Sequence, residues 1–209
     1  MARQTETESS SIVGNLIKGA IAGTVGVLAL DAVTELFTSA EGDEALERET
    51  QTRPDAMDPA HVLANRVADA AGYELEPRQP HTAGIETHYG IGVVPTMVYA
   101  AVARRSSEIN IGRGLLFGTA MYLAQDQGLN YALGLTGRPT EYPWQAHMRG
   151  LMGHLAMGAA SEGTLSALDK AEERGREMAS REDVLEGNVT ERRRRRRRKT
   201  ETRRRSGSQ

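Results

Sequence analysis

Ionisable side chains sit inside segments that are otherwise apolar, and their spacing is helical. At about 100° per residue, Asp31 and Glu35 share a face with Ala20 and Thr24 in the first apolar block. The same projection groups Thr119, Tyr122, Asp126 and Asn130 in the third block, and His147, Gly150, His154, Gly158 and Ser161 in the fourth. His81, Glu86 and His88 crowd one end of the second block. Glu86 and His88 point to nearly opposite sides of a regular helix, so at most one of them faces a common site. Carboxylates and imidazoles gathered at one level suit a divalent-cation site, a proton-responsive network, or inert hydrogen bonding between helices. Asp31 and Glu35 rise only about 6 Å apart and can share a cation, whereas His147 and His154 rise about 10.5 Å apart, too far to chelate one ion. A compact zinc catalyst therefore fits poorly. No HExxH, CxxC, GxSxG or phosphate-loop pattern occurs, so the sequence carries no enzyme signature and implies no cofactor.

The elements that must position these groups are four glycine-studded apolar blocks, at about 12–37, 83–102, 111–135 and 144–168. Each is about 20–25 residues long, the length that crosses a hydrocarbon core. The expectation is an all-α protein: a four-helix polytopic membrane bundle over residues 12–168, preceded by a polar segment 1–11. An acidic external loop, 39–80, is expected to hold one short surface helix in DPAHVLANRVADAAG. On that helix Ala60, Leu63, Val67 and Ala70 form one side, and His61 faces solvent on the other. Residues 169–191 read as a charged helical extension. Residues 192–209 read as a disordered tail, because a run of like charges repels itself and buries nothing.

Charge placement sets the expected orientation. The 209 residues include 26 Lys and Arg, 28 Asp and Glu, and no cysteine, which fits one modest domain with appendages and excludes a disulfide-stapled scaffold. The near-neutral total is a cancellation: residues 1–170 hold 12 basic against 20 acidic side chains, and residues 171–209 hold 14 against 8. With Arg104, Arg105, Arg113 and the basic tail kept inside, both termini are expected to be cytoplasmic in a multi-pass membrane protein. Asp31, Glu35, His88, Asp126 and His147 then converge on one level, a polar vestibule in the outer leaflet, with Glu162 the exception in the inner half. Tyr89, Tyr142 and Trp144 near helix ends read as interfacial anchors. The run Arg192, Arg193, Arg194, Arg195, Arg196, Arg197, Arg198 and Lys199 is expected to hold anionic lipid headgroups, at about 1 kcal/mol per basic residue near the surface. No aromatic residue interleaves the arginines, which argues against nucleic acid as the partner.

Gly19, Gly23 and Gly26 form a ridge that would let a neighbouring helix approach closely. Such a ridge serves packing within one chain or homo-oligomer formation equally well. Two alternatives to the vestibule therefore stand: a structural or assembly protein associating through the ridge, and a soluble helical bundle with a nucleic-acid-binding tail.

The order of pieces KGAIAGTVGVLALD, HYGIGVVPTMVYA, GLLFGTAMYLAQDQGLNYALGL and HMRGLMGHLAMGAASEG resembles the YagU-like family of small multi-spanning bacterial inner-membrane proteins. The resemblance covers about residues 12–168. It implies an integral membrane protein and supplies no catalytic residues. The acidic loop and the arginine tail lie outside its pattern.

Overall fold

A computed structural model describes residues 2–75, 82–103 and 111–206. The chain is helical, with no strand among the described residues. Its elements are α1 (Ala2–Ala40), α2 (Asp43–Thr52), α3 (Pro59–Ala70), α4 (Thr82–Ala103), α5 (Ile111–Met121), α6 (Asn130–Ala132) and α7 (Trp144–Ser206). A π-helical stretch, Tyr122–Leu129, joins α5 to α6, and the turns Pro54–Ala56 and Pro139–Glu141 are 3-10. The chain divides into two compact units, Met1–Ser166 and Ala167–Gln209.

Small residues set the packing of the first unit. A Cβ on Gly19 would lie 2.6 Å from Met97 Cα, and one on Gly23 would lie 2.9 Å from Val93 Cα, so α1 and α4 meet backbone to backbone. Gly26 turns instead toward α7, where Ser161 and Met157 occupy the space a side chain would need. The Ser161 hydroxyl donates to the Ala22 carbonyl across that contact, at 3.2 Å. Between α5 and α7, a Cβ on Gly114 would lie 2.6 Å from the Gly158 oxygen. Tyr99 of α4 stacks on Phe117 of α5 with centroids 4.4 Å apart, which closes the ring α1–α4–α5–α7. The three ridge glycines are thus filled inside the chain.

Helix ends follow local chemistry. Asp58 caps α3, its Oδ1 accepting from the backbone N–H of Ala60 (3.0 Å) and His61 (3.1 Å), with Pro59 at the first helical position. After α6 the chain turns at Gly134, whose φ of +67° suits glycine. The N–H of Leu135 then closes on the Asn130 carbonyl at 2.7 Å, which swings Leu135 onto Met57 and Val62.

Several expectations are corrected. The acidic stretch after α1 is not a loop, because α2 forms there with acids in its first turn and the i,i+4 pair Glu44–Arg48 at 2.9 Å. The α3 face that is buried carries Ala60, His61 and Ala64, while Val67 is exposed. His61 is therefore a buried residue and not a solvated one. Its ring fills the recess that Gly84 leaves on α4, and its Nδ1 lies 2.7 Å from Asp58 Oδ2. The third block is not one regular helix, since the π stretch interrupts it. In the second unit the backbone stays helical through Ser206 where disorder was expected. Arg, Lys and Glu are good helix formers, and adding residues to an existing helix is far easier than starting one. The side chains of Arg192 to Lys199 lie outside the described residues, as do His81, Arg104 and Arg105.

One described helix, over Ile12–Ala40, has the length and hydropathy to cross a membrane. The other apolar blocks do not reach that measure. The π stretch shortens α5, and Glu86 and His88 in α4, with His147, Arg149 and His154 in α7, lower the hydropathy.

Candidate functional site

Polar residues of α1, α4, α7 and the π stretch meet at one end of the ring, where α2 and α3 adjoin a partly open cavity of about 790 Å³. Asp31 and Glu35 enter it from α1, His88 and Tyr89 from α4, and His147, Gly150 and His154 from α7. The π stretch contributes Tyr122, Gln125, Asp126 and Gln127. There the Asn130 N–H reaches back to the Gln125 carbonyl, a wider turn than an α-helix makes, and such turns recur at functional sites. The regular i,i+4 stripe predicted Tyr122 and Asp126. Gln127, five residues after Tyr122 and hydrogen-bonded to its hydroxyl at 2.9 Å, joins them through the wider π turn.

Asp31 is held from α4 on both oxygens: His88 Nε2 donates to Oδ1 at 2.8 Å, and the Tyr89 hydroxyl donates to Oδ2 at 3.5 Å. Tyr89 therefore lines the cavity. Tyr142 also lines it, and Trp144 is exposed. Of the two candidates in the second block, His88 faces the site and Glu86 faces outward. Glu35 lines the rim with its side chain exposed.

His147 is fixed at both ring nitrogens. Its Nε2 lies 2.9 Å from the Pro139 carbonyl, which can only accept, so Nε2 carries the proton and Nδ1 accepts from Gln127 Nε2 at 3.1 Å. Asp126 Oδ2 stands 3.6 Å from His154 Nδ1, and that nitrogen lies 2.9 Å from the Gly150 carbonyl. Glu162 is outside the site, accepting from the Tyr99 hydroxyl at 2.8 Å. The five expected vestibule residues thus line one cavity, and His154 joins them. Among the described residues, no group of three His, Cys, Asp or Glu converges closely enough to hold a metal ion.

The groups that attach α2 to this end lie outside the expected vestibule. Arg149 is buried and donates to Glu41 Oε2 at 2.6 Å and to Glu49, which also accepts from Arg53. An arginine inside an apolar block was the available signal, because a buried cation must find anions. Burial works to raise the pKa of Glu49. The Arg149 hydrogen bond and the Arg53 and Arg149 charges outweigh it and hold the carboxyl below the ordinary 4.5. A lowered folded-state value stabilises the ionised form, so its contribution is complete above the unfolded value and is lost as pH falls through the folded one. Limited proteolysis of the full chain should show residues 41–58 protected at neutral pH and increasingly cleaved as pH falls below the ordinary carboxylate range. Glu49→Gln should remove most of that pH dependence.

No protein-family model matches this chain, and comparison with curated proteins and with solved structures finds no match.

Proposed function

We propose that this chain is a non-enzymatic integral membrane protein of four helical spans whose cavity is a proton- or cation-responsive vestibule. The observation that carries this reading is an inverted distribution of polarity. Large apolar side chains are exposed on all four long helices, among them Ile17, Ile21 and Leu28 on α1, Val94 and Val98 on α4, Leu116 on α5, and Met148 and Met152 on α7. Asp31, His88, Asp126, Gln127, His147 and His154 turn inward to the cavity, whereas Glu86 faces outward. Water-facing bundles distribute the two kinds the other way, and large contiguous apolar surface marks a membrane or partner contact. Ionisable groups at membrane depth belong on the inside, near partners or water, as Asp31 and His88 are.

With histidines taken as neutral, the cavity lining holds Asp31, Glu35, Glu49, Asp58 and Asp126 against Arg53 and Arg149, an excess that favours cations. Imidazole is the side chain that titrates near neutral pH, which suits a response to protons. Both termini are assigned to the cytoplasm, and the arginine tail to anionic headgroups. The resemblance to YagU-like membrane proteins belongs to the same reading. An assembly role through Gly19, Gly23 and Gly26 has less support, because these glycines are packed within the chain.

Alkaline carbonate washing of membranes should leave the protein in the pellet, and release into the supernatant would end the membrane reading. In liposomes, replacing Asp31→Asn and Glu35→Gln together should change proton or cation flux, or the pH dependence of stability. Unchanged flux and an unchanged pH–stability profile would refute the vestibule role.

A further inference from the structure

We infer that the cavity binds a small primary ammonium compound, with the Asp126 carboxylate as counter-ion and the Tyr122 ring beside it. This deepens the cation-vestibule reading and rests on it. A cavity of about 790 Å³ is far larger than a proton or a bare ion requires, and it falls in the size range of metabolite sites. Its wall also includes Val27 and Met157, which offer apolar contact to an alkyl chain.

The polar groups around the cavity are unequally engaged. Both oxygens of Asp31 accept hydrogen bonds, Glu49 is held between two arginines, and Asp58 is occupied by the α3 cap and His61. Glu35 is exposed at the rim, and Asp126, less exposed in the wall, accepts no hydrogen bond among the described residues. Its nearest basic neighbour, His154, lies 3.6 Å away with the facing nitrogen already directed at the Gly150 carbonyl. A carboxylate lining a cavity with unused lone pairs calls for a donor that carries positive charge.

Gly150 brings the carboxylate and the aromatic ring together. A Cβ there would stand 3.1 Å from both Asp126 Oδ2 and the Tyr122 ring, so the missing side chain lets the two pack closely against α7 at the cavity wall. An ammonium entering from the cavity can donate N–H to Asp126 beside the Tyr122 ring, the contacts that organic cations use. A divalent metal has no comparable set of ligands, since no third acid or histidine converges there among the described residues.

Isothermal titration calorimetry on the detergent-purified full chain tests this with n-butylammonium and its uncharged analogue 1-butanol. Butylammonium should bind saturably and at least about tenfold more tightly than 1-butanol, a preference equal to about 1.4 kcal/mol. Asp126→Asn should abolish the preference, and Glu162→Gln, remote from the cavity, should retain it. Equal binding of the two probes, no binding of butylammonium, or an unchanged preference in Asp126→Asn overturns the inference. Should Asp126→Asn fail to fold, the two probes on the natural sequence still decide. Release by carbonate would sink the membrane reading and leave the calorimetric comparison standing. Flux that depends on Asp31 and Glu35 without any ammonium preference would sink this inference alone.

Discussion

Replacing Arg149 by leucine should cost about 3–5 kcal/mol, the range for removing one member of a buried ion pair. The side chains of Glu41 and Glu49 are each only 7% exposed, and without the guanidinium Glu41 loses its cation while Glu49 keeps Arg53 alone. Leucine supplies no donor, so the desolvation of both carboxylates becomes uncompensated. The damage should start in α2, whose Glu49 is joined to α7 through Arg149. Chemical or thermal unfolding followed by circular dichroism would show the loss of stability, and proteolysis would show cleavage first within residues 41–58. Arg149→Lys should fall between, because an ammonium keeps the charge and loses the planar fork that reaches two carboxylates. Combining Arg149→Leu with Glu41→Gln and Glu49→Gln should recover part of the loss. A variant Arg149→Leu with the natural unfolding midpoint and protease pattern would mean that this ion cluster does not hold α2.

Two glycine-to-alanine changes in α7 should move stability in opposite directions. At Gly158 the added methyl would overlap the Gly114 carbonyl and stand 2.8 Å from the Gly118 nitrogen. Those are backbone atoms of α5, which cannot rotate away, so α5 and α7 must separate. Overpacking of this kind costs about 1–3 kcal/mol. At Gly163 no atom lies within 4 Å of the added methyl. The helix there gains from alanine, by about 0.5–1 kcal/mol, because glycine loses more backbone freedom on folding. Unfolding of the two variants side by side should give a lower midpoint for Gly158→Ala and a higher one for Gly163→Ala. Equal shifts would mean that α5 and α7 are not in backbone contact.

The glycine pattern illustrates how far spacing can be read. Gly19, Gly23 and Gly26 were recognisable as a packing ridge, yet one helical face was assigned to all three. In the structure Gly19 and Gly23 receive α4 and Gly26 receives α7. A ridge specifies that something approaches and carries no information about what. Gly114 and Gly118 have the same four-residue spacing as Gly19 and Gly23 and were open to the same reading. His61 was misassigned for a related reason: helical periodicity offered two faces of α3, and the recess at Gly84 chose the other one. The π stretch left no local mark in YLAQDQGL that distinguishes it from an α-helix.

The amino-acid sequence by itself determined the four apolar blocks, the polar stripe on three of them, and the short helix in DPAHVLANRVADAAG. These depend on neighbours one to four positions apart, the range over which a helix brings residues together. Only the tertiary structure decided that Asp31 pairs with His88, that Arg149 joins Glu41 and Glu49, and that Asp126 reaches the cavity wall without a hydrogen bond among the described residues. The partners of Asp31 and Arg149 lie 57 to 108 positions away along the chain. Charge and hydrogen-bond demand require that such groups find partners, but which partner each finds depends on how helices of given small-residue relief fit against one another, a property no single segment contains.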